Sequence, residues 1–275
     1  MHISKTPIRE ALQTVSLTET VRATRSSRQA SSIHQRIADH IGSAILCGRR
    51  AAGSLLPKEM EAIVDFGVSR TAYREAVRVL IAKGLVETRP KVGTHVTQRR
   101  HWQVLDPDVL RWAFHSGPSV TFIHELFELR AILEPHAAEL AARRRSHAQL
   151  ELMRSALEDM ASHGLGSVEG RTADQRFHEE ILNATGNQAL MTLSASIGAA
   201  IHWTTVFKYQ STRVPRDAIP DHMELYEAIA DSDATRAAEA ARSLIQLALE
   251  DARASLGVAD RQAKQPIKGS RPETR

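Results

Sequence analysis

Cysteine is nearly absent: Cys47 is the only one in 275 residues. No internal disulfide is available, which excludes the small secreted scaffolds that depend on such staples. No run of 18 apolar residues occurs, so no membrane-spanning helix is expected. The opening segment MHISKTPIREALQTVSLTETVRATRSSRQ scatters charges and hydroxyls where a secretory signal needs a continuous apolar stretch, and the cytoplasm is the expected compartment. Also missing are a nucleophile elbow, a phosphate-binding glycine loop and a His-Glu-x-x-His pair, so nothing local announces an enzyme.

What is present is divided unevenly. The length suits about two domains. Residues 1–105 hold 17 Lys and Arg against 8 Asp and Glu, a net of +9, whereas residues 106–256 carry −8 within a chain total of +4. A basic first third suits a polyanion; an acidic remainder suits another task, although surface charge can also be uneven without a partner.

Residues 1–30 and 257–275 (GVADRQAKQPIKGSRPETR) are polar and without period, and read as disordered tails, the first of them basic. Between them, Ile33, Ile37, Ile41, Ala44 and Ile45 form one stripe of a first helix ending near Gly48. The loop GRRAAGSLLP leads to a short helix, Lys58 to Phe66, stopped by Gly67. Ser69 caps the next, in which Tyr73, Ala76, Val77, Leu80 and Ile81 make the buried face. Two extended runs, LVETR and THVTQ, flank Pro90-Lys91-Val92-Gly93 as a hairpin. Three short helices and a hairpin make a winged helix-turn-helix over residues 31–100. Its third helix carries Arg70, Thr71, Arg74 and Arg78 opposite the apolar stripe. Arg70 and Arg74, one turn apart, can enter a major groove together, and Lys91 at the wing tip can reach phosphate or the minor groove. The same charges would also serve as a solvated helix face.

The run from Gly53 to Val96 resembles the DNA-binding domain of GntR-type bacterial transcription regulators. The matching pieces are Gly53, Leu56-Pro57 and Glu59, then Gly67-Val68-Ser69-Arg70-Thr71 with Arg74-Glu75-Ala76, then Gly84-Leu85-Val86, Gly93-Thr94 and Val96. The resemblance implies DNA contacts at Ser69, Arg70, Thr71 and Arg74, with Gly93 at the wing tip. Met60 departs from it, standing where many members place a DNA-touching arginine.

Residues 101–118 read as a linker and connecting helix, and residues 119–256 as an all-α domain with helices over about 119–145, 147–163, 170–185, 188–210, 216–231 and 233–256. The fold class is therefore mainly α, a winged helix followed by a helical bundle. Pro135 should bend or break the first long helix of the bundle. Polar residues sit where apolar ones belong. Arg130 falls within the stripe of Ile123, Leu126, Phe127, Leu133 and Ala137, and needs an internal carboxylate or a bound anion as partner. Asp174 and His178 share a face with Phe177 and Ile181, and His222 shares one with Leu225 and Ile229. One carboxylate and two imidazoles inside a bundle suit a divalent transition metal, an anionic ligand's hydroxyls, or a structural hydrogen-bond network.

The segments ELFELRAILEPHAAELAARR, DQRFHEEILNATGN and DHMELYEAIADSDATRAAEAARSLI resemble the FCD effector domain of the FadR subfamily. That resemblance implies a metal (zinc, manganese or nickel) on Asp174, His178, His222 and a further histidine, whose position reads here as Leu244. HWQVLDPDVLRWAF, with the departures at Met60 and Leu244, is similar to repressors of sugar-acid operons of the galactonate type. The implied protein is no enzyme but a homodimeric regulator, without a membrane partner. It would bind an inverted-repeat operator in double-stranded DNA and release it when a small carboxylate or sugar acid meets Arg130, Asp174, His178 and His222. The competing reading from the residues is a metal-dependent enzyme with a DNA-targeting domain; a regulator of another acid pathway, or an activator, also fits.

Overall fold

The computed structural model describes residues 33–211 and 216–263. The tail expected over residues 1–30 and the end of the chain beyond 263 lie outside them. The chain divides between Val104 and Leu105 into two compact units.

In the first unit, helix α1 (33–46) buries Ile37, Ala38, Ile41, Ala44 and Ile45. Helix α2 (Glu59–Phe66) ends at Gly67, whose φ of 62° is the left-handed stop that the sequence announces. Helix α3 (Arg70–Ala82) starts where the Ser69 hydroxyl accepts from the Ala72 N–H at 3.2 Å. Its buried face is Ala72, Tyr73, Ala76 and Leu80; Ile81, expected on that face, is instead exposed at its edge. Strands β1 (Val86–Arg89) and β2 (Gly93–Val96) pair antiparallel, with Val86 opposite Val96 and Thr88 opposite Thr94. The loop before α2 joins them, since the Leu56 N–H donates to the Thr94 carbonyl and the Val96 N–H to that of Ser54. Gly84 sits at φ 72°, and a side chain there would strike the His101 carbonyl, so only glycine lets the chain turn from α3 into the wing.

The second unit is helical throughout the described residues: α4 (Pro107–His115), α5 (Val120–Arg144), α6 (His147–His163), α7 (Val168–Ala184), α8 (Gln188–Met191), α9 (Ser194–Ser211), α10 (Ile219–Ala230) and α11 (Ala234–Ala263). Helix α4, expected as a connector, packs into this unit through Val109, Leu110 and Trp112, and Phe114 meets Phe122, Trp203 and Phe207. Serines cap α5, α6 and α7 at Ser119, Ser146 and Ser167. Helix α5 lies against α7 and α11, and α7 against α6 and α9, around a core that includes Phe177, Met153, Met160 and Leu182.

Three expectations are corrected. Helix α5 passes through Pro135 unbroken: the missing rung of its ladder is tolerated within a turn whose Glu134, Pro135, Ala137 and Ala138 are all buried. The single helix expected over 188–210 is two, because the Thr192 and Ser194 hydroxyls take the Ala189 and Met191 carbonyls at the junction. The last helix continues past Gly257 to Ala263, since a helical glycine costs only about 1 kcal/mol when its backbone stays right-handed.

Candidate functional site

Two places gather the chemistry, one in each unit. In the first, Ser69, Arg70, Thr71, Arg74 and Arg78 are all exposed on α3, opposite its buried face. The Ser69 oxygen is committed to the cap. Arg70 and Arg74 both turn toward one carboxylate: Arg70 Nε lies 2.5 Å from Glu59 Oε1, and Arg74 Nε donates to Oε2 at 2.9 Å. Arg70 Nη2 also meets Met60 Sδ at 3.5 Å, so the exposed Met60 flanks the arginine that lies nearest it. At the wing tip Lys91 adopts a left-handed φ of 63° and Gly93 a φ of 109°. This kink closes the hairpin and leaves Lys91 exposed.

In the second unit, Arg130, Asp174, His178 and His222 converge as expected, all nearly inaccessible to solvent. Arg130 Nε reaches Glu134 Oε1 at 2.6 Å, one turn along α5, and its Nη1 donates to the Thr204 hydroxyl. The partner that a buried arginine requires is thus internal. Asp174 Oδ1 lies 3.1 Å from His222 Nε2 and 3.6 Å from His178 Nε2, and the two Nε2 atoms are 3.4 Å apart. Each imidazole is oriented from behind. His222 Nδ1 faces the Ala218 carbonyl at 2.7 Å and His178 Nδ1 faces Glu134 Oε2 at 3.3 Å. Both of these oxygens can only accept, so each Nδ1 carries a proton; the Nε2 atoms point at Asp174 and at each other, and the His222–Asp174 hydrogen bond forms only when His222 carries a second proton, on Nε2. Such a convergence is disfavoured unless a proton or a metal cation sits among the three donors, which lie within 4.8 Å of one another. The residues therefore fit a divalent cation. Leu244, on α11, lines the same chamber and offers no donor.

Electrostatics follow from this packing. Burial by itself would raise the Glu134 carboxyl, but the Arg130 guanidinium and the His178 imidazole hold it at about 2. Asp174 likewise sits at about 2 against the cost of burial, held down by its bond to His222 and by the His178 and Arg130 charges. Burial pushes His222 down, yet Asp174 and the Ala218 carbonyl raise it overall. The two carboxylates stabilise the fold above their unfolded values near 4, and that contribution disappears as the pH falls toward 2. His222 acts in the opposite sense, contributing on the acid side and losing its contribution as the pH rises through its raised value. The urea midpoint should therefore drop between pH 5 and pH 2, and drop less in an Arg130→Met/Glu134→Gln chain. Equal slopes in both chains would contradict this account of Glu134.

The chamber itself holds about 40 Å³, room for an ion with a few waters, and about 450 Å³ of empty space when its open mouth is counted. Sequence reasoning missed part of its wall: Thr204, Thr205, Lys208 and Arg216. Thr205 donates to Asp174 Oδ2, while Lys208 pairs with Asp251 at 2.8 Å. The signal was available, since Ile201, Thr204, Thr205 and Lys208 share one side of α9 at helical spacing.

Residues 33–96 match the family model of bacterial regulatory proteins, gntR family, and residues 125–247 match that of the FCD domain. The galactonate operon transcriptional repressor of Escherichia coli K12 is 32% identical over 212 residues, covering 76% of this chain and 92% of that protein. The uncharacterized HTH-type transcriptional regulator YieP of the same organism is 31% identical over 212 residues, covering 76% and 91%. The solved structure of Lar from Listeria monocytogenes superposes with a TM-score of 0.56 at 18% identity, over 80% of this chain and 96% of that one, a likeness of fold alone. These families and relatives are regulators, which decides against the metal-dependent enzyme. No described helix is long and apolar enough to cross a membrane. The chain belongs to the GntR family of bacterial transcriptional regulators, with a gntR-type winged helix followed by an FCD domain.

Proposed function

We propose that this regulator is a cytoplasmic, homodimeric repressor of sugar-acid catabolism, released from an inverted-repeat operator by a small hydroxylated carboxylate. The observation that carries the reading is the buried chamber of the FCD domain. In it one carboxylate, two oriented imidazoles, two threonine hydroxyls and Arg130 line one partly open space. The cations at its wall already have internal carboxylate partners, Glu134 for Arg130 and Asp251 for Lys208. A ligand rich in hydroxyls suits such a wall better than a bare anion does, because each hydroxyl both donates and accepts. The likeness to a galactonate operon repressor supports the same class.

A divalent ion, zinc, manganese or nickel, would be held by Asp174, His178 and His222, and it would offer Lewis acidity toward a ligand carboxylate. Glu134 and the Ala218 carbonyl fix the imidazoles that face it. On the DNA side, Ser69, Arg70, Thr71 and Arg74 would read a half-site from the major groove, while Lys91 and Gly93 form the wing contact. Effector binding lowers operator affinity by the ratio of its affinities for the two dimer states.

A thermal-shift screen against galactonate, related sugar acids and simple carboxylates, with and without Zn²⁺, Mn²⁺ or Ni²⁺, tests the pocket. A ligand that binds only the folded chain, supplied at a large excess over its Kd (about a hundredfold), adds about 2.7 kcal/mol of stability. A rise with a sugar acid, metal-dependent or not, is the expected result. No rise with any hydroxylated acid under any metal condition would overturn the sugar-acid assignment.

A further inference from the structure

The α3 arginines do not stand alone on their helix face. Glu59, at the start of α2, places one carboxylate oxygen against Arg70 Nε and the other against Arg74 Nε, at 2.5 and 2.9 Å. The carboxylate is itself largely covered, whereas both arginine side chains are 60% exposed. The contacts use the inner edge of each guanidinium. A carboxylate at Nε leaves both Nη atoms of Arg74 and Nη1 of Arg70 without a protein partner among the described residues, Arg70 Nη2 resting 3.5 Å from Met60 Sδ, and the Nη edge of a guanidinium can make a bidentate contact with guanine O6 and N7. One anion therefore sets the angle of two readers on successive turns and removes rotamer freedom that each would otherwise lose on binding. It also cancels one positive charge beside them, which weakens indiscriminate attraction to phosphate.

We infer that Glu59 is a specificity-determining positioning residue: it touches no base, and it holds Arg70 and Arg74 in the pose that reads the operator while suppressing their nonspecific use. This rests on the proposal that these two arginines contact DNA. Asp65, Glu61 and Glu75, the other acids of α2 and α3, have no ion pair with Arg70 or Arg74 among the described residues, so the pose depends on Glu59.

The test uses the full-length chain and a duplex selected from a randomised library by the wild-type protein, with a scrambled duplex as reference. Glu59→Gln and Glu59→Ala should each lower the ratio of selected to scrambled affinity on the order of tenfold, the worth of one misplaced bidentate contact. Affinity for the scrambled duplex should rise, and the salt slope on it should steepen by about 1 to 2, as freed arginines find phosphates. The melting temperature should hardly change, because the pairs are at the surface. In an Arg70→Ala/Arg74→Ala background, Glu59→Gln should leave the ratio unmoved, and this arm retains its force even if Glu59→Ala weakens the fold. An unchanged ratio in the Glu59 variants, or an equal change in the double-arginine background, would overturn the inference. If Arg74→Ala alone keeps full affinity for the selected duplex, the DNA-contact proposal itself fails, separately from any effect of Glu59.

Discussion

Replacing Arg130 with alanine should cost the FCD domain about 3 to 5 kcal/mol of stability, the usual result of deleting one partner of a buried ion pair. Arg130 and Glu134 are 4% and 8% exposed in their side chains, and the Glu134 carboxyl stays ionised to about pH 2 chiefly because the guanidinium opposes the cost of burial. Without Arg130 the carboxylate either remains charged and unpaired or takes up a proton, and His178 loses the fixed partner of its Nδ1. The companion variant Arg130→Met/Glu134→Gln removes both charges, leaves an acceptor for His178, and should recover most of the loss. Urea midpoints of the three chains decide it, and an Arg130→Ala chain as stable as wild type would contradict the account. A consequence follows for pocket mapping. Loss of effector response in Arg130→Ala does not by itself identify a ligand contact, whereas loss in the paired variant, with stability restored, does.

The second large effect is on DNA. Arg74→Ala should weaken binding to a selected operator by about 1 to 3 kcal/mol for each half-site, the worth of one bidentate base contact, and should relax the preference at one base position. Since the Arg74 side chain is 60% exposed and paired only at the surface, the melting temperature should be unchanged. Lys91→Ala should act differently: removing a cation that meets phosphate from the wing lowers affinity equally for all sequences and reduces the salt slope by about 0.9 per half-site. Titrations at several salt concentrations separate the two. Full affinity in Arg74→Ala would show that α3 does not read the operator.

Much of this molecule is legible in its sequence. The winged helix can be read because its signals are local and redundant: Ser69 as cap, Gly67 and Gly84 as stops, and a hairpin around Pro90 to Gly93. The convergence of Asp174, His178 and His222 is legible because polar residues at helical spacing within apolar stripes have few other places to go. What escapes depends on tertiary contact. Glu134 is visible one turn from Arg130, but whether Arg130 pairs with it or with a ligand depends on where α5 meets α7 and α9. Thr204, Thr205 and Lys208 share one side of α9, but what that side faces depends on where α9 packs, and Arg216 has no pattern of its own. The bridge from Glu59 to Arg70 and Arg74 spans a turn between helices, a relation that residue spacing within one helix cannot express. Of the bend or break expected at Pro135, the break does not occur: the residue has a real local cost, but the turn around it is buried and the helix continues through it.

The central claim is that a ligand in the FCD chamber controls grip on DNA. Its most direct test is the fluorescence anisotropy of a labelled selected duplex bound by the full-length chain, titrated with galactonate and related sugar acids with and without a divalent ion. The account predicts that at least one acid releases the duplex in a saturable way, and that His222→Ala, still bound to DNA, no longer responds. If none of these acids changes the bound fraction, or if His222→Ala responds as wild type does, the claim is contradicted.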